Sequence, residues 1–206
     1  MALSHTSRLA DLCEITSGPS GQQLAELSAG LEGVPVISAP DLTSNHAITT
    51  AHIKRVSPGT AVGLARYRVQ QGDLIYVRQG TLGRRAVVGP AEATWLFGAA
   101  CLRLRPKTGM VLPEYLLHYL GHPLVHDWIA AHANKGQAVE TLNSRTLAET
   151  PVMLPSLDRQ RVIAGAMREI GNQIDAHAQL IAKHESFRVG LLTELMGDGF
   201  SGSEWR

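Results

Sequence analysis

A chain of 206 residues, 44% of them apolar, can bury a core and has room for one ordinary domain plus an appendage. No apolar run approaches the roughly 18 residues of a membrane-spanning helix, and the first twelve residues lack the basic and apolar regions of a signal peptide, so a soluble, cytoplasmic protein is expected. A formal net charge of +1 excludes a uniformly basic nucleic-acid binder, though not one whose cations are gathered in one place.

In chain order, the first half reads as short strands broken by turns. Val34–Ile37, Asp73–Val77, Ala86–Val88 and Ala99–Leu104 are apolar or alternating runs, punctuated by Gly72, Gly80, Gly83, Gly89-Pro90 and Pro106. Cations gather in the same region. Residues 54–107 hold ten Lys or Arg (Lys54, Arg55, Arg66, Arg68, Arg78, Arg84, Arg85, Arg103, Arg105 and Lys107) against Asp73 and Glu92. That local balance of +8, set against +1 overall, leaves −7 for the rest of the chain. Such a segment is either a phosphate-facing surface or a solvated basic face without a partner. Cys13 and Cys101 match no metal or redox spacing and read as reduced, packed thiols.

Then the period changes. Pro113 and Pro123 each open an apolar-periodic run, Glu114–Leu120 and Leu124–Ala133, so two helices are predicted. From Asp158 to Met196 there is no proline, while Pro151 and Pro155 stand upstream, Gly197 downstream, and Ser156 can serve as N-cap. One helix of about 58 Å is predicted, too long to lie across a small domain. Ile163, Met167, Ile170, Ile174, Ile181, Leu191 and Leu195 fall on a 3.5-residue seam that suits pairing, although His177, His184 and Arg188 interrupt it. The fold class is therefore α+β: a small irregular β-rich domain with short helices over 1–155, one long coiled-coil-forming helix over 156–197, and a flexible Gly/Ser-rich tail over 198–206.

Catalytic signatures are missing. The chain has no Gly-rich phosphate loop, G-x-S-x-G, Cys-x-x-Cys or H-E-x-x-H, and no Asn-Pro-Pro-aromatic motif. His118, His122 and His126 recur every four residues, as zinc ligands on one helix face would, but Pro123 interrupts that helix and no carboxylate or thiol completes the set. No metal is expected. The most informative stretch is Arg78-Gln-Gly-Thr-Leu-Gly-Arg-Arg85, where two glycines permit a tight turn and three arginines and a hydroxyl flank it. Donors could converge there on a phosphate or base edge; an ordinary hairpin turn is the equal alternative.

Taken in order, several segments resemble the specificity subunits of type I restriction-modification systems. They are Leu9–Gly18, Val34–Ser38, Gly72–Arg84, Pro113–Leu120, the loop Lys135–Val139, Leu142–Leu147, Pro151–Pro155 and Leu157–Arg161. Arg159 departs from the pattern, since the family usually places an acid before the glutamine matched by Gln160. A larger departure is length: full specificity subunits carry two recognition domains and two spacer helices, and this chain has one of each. The resemblance implies a non-catalytic target-recognition domain that directs a partner adenine-N6 methyltransferase, which carries S-adenosylmethionine, sometimes joined by a restriction subunit. It implies no cofactor in this chain. With one helix available, a second copy of the chain is the economical partner, giving a homodimer that reads a bipartite palindrome. Arg78, Thr81, Arg84 and Arg85 are the leading candidates for DNA contact, with Lys54, Arg55 and Gln137 behind them; Arg66, Arg68, Arg103 and Arg105 read as flanking strands and serving solubility. The alternatives are a stand-alone sequence-specific DNA-binding protein, a recognition module of another defence system, or an enzyme with an unrecognised site.

Overall fold

The computed structural model describes residues 5–28, 32–133 and 141–196. Its elements are β1 (His5–Arg8), α1 (Leu9–Leu12), β2 (Cys13–Ser17), β3 (Val34–Ile37), β4 (Lys54–Val56), α2 (Pro58–Gly63), β5 (Leu74–Val77), β6 (Arg85–Val87), β7 (Leu96–Phe97), β8 (Cys101–Pro106), α3 (Pro113–Tyr119), α4 (Pro123–His132), α5 (Ser144–Ala148), β9 (Pro151–Leu154) and α6 (Leu157–Met196).

All four side chains of β5 are buried because the strand has a core on each face. It lies inside an antiparallel sheet of order β2-β8-β5-β6. With side chains alternating at period two, Leu74 and Tyr76 enter one core with Leu9, Leu12, Leu102, Leu104, Leu116, Ile129 and Leu147, drawn largely from the helices. Ile75 and Val77 enter a second core with Val36, Ile37, Val56, Leu96 and Phe97. The second core is supplied by a sheet of order β4-β3-β7, in which β3 and β7 run parallel. Cys13 and Cys101 are both buried, and burial pushes both thiols up to about 12, far from reactive thiolates.

Strands β1, β4, β7 and β9 are not legible in the sequence. They have two to four residues, β7 being only Leu96–Phe97 and the others including polar or proline positions, so partners rather than propensity impose their geometry. Antiparallel pairing of β1 with β9, from His5 opposite Leu154 to Arg8 opposite Pro151, brings the start of the domain beside the segment that precedes α6.

Helices α3 and α4 both begin on proline, as predicted. At the start of α6 the Ser156 hydroxyl accepts a 3.4 Å bond from the Arg159 amide. Gln160 is fully buried there: its carbonyl oxygen accepts from the Leu112 amide at 2.9 Å, and its amide donates to the Pro155 carbonyl at 2.9 Å. The chain divides into two compact units, Met1–Ala164 and Gly165–Arg206, so the first turns of α6 belong to the first unit. The predicted tail over 198–206 lies outside the described residues. Among the described residues, no helix is long and apolar enough to cross a membrane.

Candidate nucleic-acid interface

Residues 78–84 connect β5 to β6 through a turn that needs glycine twice. Gly80 and Gly83 have φ of +85° and +87°, the left-handed region that side chains other than glycine enter only with strain. The turn is closed by bonds from the Gly83 amide to the Val77 carbonyl (3.1 Å), the Arg84 amide to the Thr81 carbonyl (3.2 Å) and the Val77 amide to the Arg84 carbonyl (2.8 Å). Leu82 packs against the first core, which anchors the turn from below. Gln79, Thr81 and Arg84 are left exposed. Arg78 is half-buried and its Nε donates to the Ala99 carbonyl at 3.2 Å, while Arg84 reaches the Leu42 carbonyl at 3.4 Å.

Arg85 points the other way. On β6 it stands opposite Tyr76 and therefore shares the inward face of that tyrosine. It is 9% exposed; Nε donates to the Leu117 carbonyl, and one terminal nitrogen donates to the Gly83 carbonyl at 2.7 Å. Lys54 and Arg55 lie on β4, the outer strand of the three-stranded sheet, so they share no strand or sheet with the turn. Lys54 is exposed, and the half-buried Arg55 donates to the Gly33 carbonyl at 3.0 Å. Gln137 lies outside the described residues.

The basic segment is also less of a surface than its charge count implies. Arg103 and Arg105, expected to flank strands and serve solubility, do neither. They alternate with Leu102 and Leu104 on β8, a strand inside the central sheet, so their guanidinium groups turn inward. Arg103 is 3% exposed and donates to Glu14 at 2.9 Å, Thr16 at 3.1 Å, and the Arg66 and Arg68 carbonyls at 3.2 and 3.0 Å. Arg105 meets both oxygens of the buried Asp73 at 2.8 Å. Burial, and then neighbouring Arg105, pull the Arg103 pKa below its ordinary value, whereas the hydrogen bond to Asp73 raises that of Arg105. Lys107 caps carbonyls of α1 through Ala10 and Asp11.

The three histidines at four-residue spacing do not share a helix. His118 is in α3, His122 is the residue before α4, and His126 is in α4. Among the described residues no group of three His, Cys, Asp or Glu side chains could hold a metal ion. His118 instead stands edge-on to His46, ring centroids 5.9 Å apart, and burial followed by the charge of Arg85 lowers both imidazole pKa values. The loop of Leu42–Ile48, which carries His46 and meets Arg84, escaped notice in the sequence because it contains no cation. Its signal was the turn-forming run Thr43-Ser-Asn-His46, where His46 takes a φ of +65°.

On α6, the seam residues Met167, Ile170, Ile174, Ile181, Leu191 and Leu195 are all exposed, with Leu195 reaching 75%. Ile163 differs, because it packs against the first unit's own first core.

Comparison with known proteins places this architecture. The model of the type I restriction modification DNA specificity domain matches residues 3–185. The type I restriction enzyme EcoBI specificity subunit of Escherichia coli is 25% identical over 182 residues, which cover 85% of this chain and 37% of that protein. Among solved structures, the HsdS subunit from Thermoanaerobacter tengcongensis aligns with TM-score 0.67 and 18% identity, over 91% of this chain and 47% of that one. A chain from work on complex assembly and conformational transition of the type I R-M system gives TM-score 0.67 and 19% identity, over 91% of this chain and 43% of its own. At such identities the structural likeness speaks for the fold alone. The chain spans less than half the length of each of these relatives.

Proposed function

The chain belongs to the type I restriction modification DNA specificity family, and from that premise we propose that it selects the DNA site at which a partner adenine-N6 methyltransferase acts. The partner supplies the chemistry and its S-adenosylmethionine, in some systems with a restriction subunit; this chain supplies the address, in the cytoplasm. The observation that carries the reading is the turn of residues 78–84, which raises Thr81 and Arg84 to the surface on a sheet buried on both faces. A rigid platform suits sequence reading, because a base-edge contact discriminates by about 1–3 kcal/mol only when its donors are correctly placed. Arg78, Thr81 and Arg84 are assigned to the DNA surface, with Lys54, Arg55 and Gln137 as secondary candidates for DNA contact, while Arg85 is removed from it by its internal bonds.

The second element of the proposal is a homodimer. An α-helix of 40 residues is about 60 Å long, and its exposed stripe from Met167 to Leu195 needs cover. A second copy of α6 supplies the same 3.5-residue spacing. Two identical recognition units related by a two-fold axis then read inverted copies of one half-site, so the target is a bipartite palindrome. Selection from random duplex DNA by the purified chain, with mass measured by light scattering, tests both parts. Enrichment of an inverted, interrupted repeat by a dimer is expected. No enrichment contradicts the DNA reading; enrichment of a single half-site by a monomer contradicts the homodimer.

A further inference from the structure

We infer that Arg85 is the positioning residue of the recognition turn: its buried guanidinium ties the turn to the corner between α3 and α4 and so sets where Thr81 and Arg84 stand. This rests on the DNA reading above. The guanidinium bridges two elements, donating to the Leu117 carbonyl at the end of α3 and to the Gly83 carbonyl in the turn. The corner is shaped around it. A Cβ built on Gly121 would stand 1.5 Å from an Arg85 terminal nitrogen, so only glycine leaves the room it fills. The turn is held from a second side as well, because a Cβ on Gly83 would meet the His126 ring of α4 at 3.0 Å.

Among the described residues no carboxylate pairs with Arg85, and the nearby Tyr76 hydroxyl, buried without a hydrogen-bond partner, is kept neutral at physiological pH by burial, which pushes it up to about 12. A buried cation without a counter-ion is unfavourable filling for this position, where an apolar side chain would pack without desolvation. What the guanidinium contributes is geometry: its planar fork fixes two carbonyls from different elements in one arrangement. Lysine, a single flexible ammonium, cannot reproduce that.

The test uses the full chain and duplex DNA carrying the site enriched by the wild type, against scrambled duplex, across a salt series. Arg85→Met, Arg85→Lys and Gly121→Ala are compared; the last displaces the guanidinium without removing its charge. For Arg85→Met and Gly121→Ala the expected result is a loss of at least tenfold in the ratio of specific to non-specific affinity, with non-specific affinity and its salt slope within error of wild type. Arg85→Lys falls between them and wild type. Hydrogen exchange supplies a readout independent of DNA: amides of residues 80–84 exchange faster in Arg85→Met while those of β5 stay protected. Variants as selective as wild type overturn the inference, as does exchange that rises uniformly across the sheet, which marks plain destabilisation. A flattened salt slope in Arg85→Met overturns it in favour of direct phosphate contact. A wild type without sequence preference overturns the DNA reading itself and this inference with it, so the two failures are distinguishable.

Discussion

Replacing Asp73 with asparagine tests whether much of the basic segment is internal scaffolding. The Asp73 carboxylate is 1% exposed and accepts three bonds of 2.8 Å, two from Arg105 and one from the Gln70 amide, with Arg103 Nε at 4.0 Å. The asparagine keeps one carbonyl oxygen and the volume but removes the charge, leaving Arg103 with Glu14, whose side chain is 61% exposed, as its remaining anion. Breaking a buried pair by removing one partner costs about 3–5 kcal/mol, against a typical total of about 5–15 kcal/mol. At roughly 2–4 °C per kcal/mol for a domain of this size, the melting temperature should fall by about 6–20 °C. Urea and thermal unfolding followed by circular dichroism measure it, with Glu14→Gln as the exposed control expected to cost less than about 1 kcal/mol. A loss below about 1 kcal/mol for Asp73→Asn would refute the reasoning and return Arg103 and Arg105 to the free cations.

Arg84→Glu should weaken DNA binding and lower its salt slope by about 0.9 for each phosphate that the chain no longer neutralises, as read by titrations at several salt concentrations. Ile170→Asp with Ile174→Asp should give a monomer whose sheet signal is retained, because an unpaired charge buried in the seam costs several kcal/mol while the recognition unit's core lies elsewhere; light scattering and circular dichroism check both halves. Burial first, then Arg85, holds the pKa of His46 and His118 below 6.5, so the unfolded chain takes up protons that the folded chain refuses. Stability should be full above pH 6.5 and decline as pH falls below it, and denaturation midpoints across pH should show that decline reduced in His118→Gln.

What could be read in the sequence was what depends on local chemistry. Pro113, Pro123 and the proline-free run after Asp158 announce three helices because proline and capping act within one turn. The glycines of the 78–84 turn were legible for the same reason. Side-chain direction was not. Arg84 and Arg85 are adjacent and chemically alike, yet one faces out and the other in, because β6 pairs with β5 in one register and alternates faces. Arg103 and Arg105 read as surface charge because their partners, Glu14 and Asp73, are 89 and 32 residues away in sequence. Ile163 fits the heptad seam as well as Ile170 does, and only tertiary packing assigns it to the domain core.

The central claim is that this chain chooses a DNA sequence for another protein to modify. Methylation-sensitive sequencing of DNA from cells that express the chain together with the proposed partner, an adenine-N6 methyltransferase, tests that most directly. The account predicts N6-methyladenine at one interrupted inverted repeat, lost when the chain is deleted while the methyltransferase is still made. Methylation that persists unchanged without the chain would contradict it.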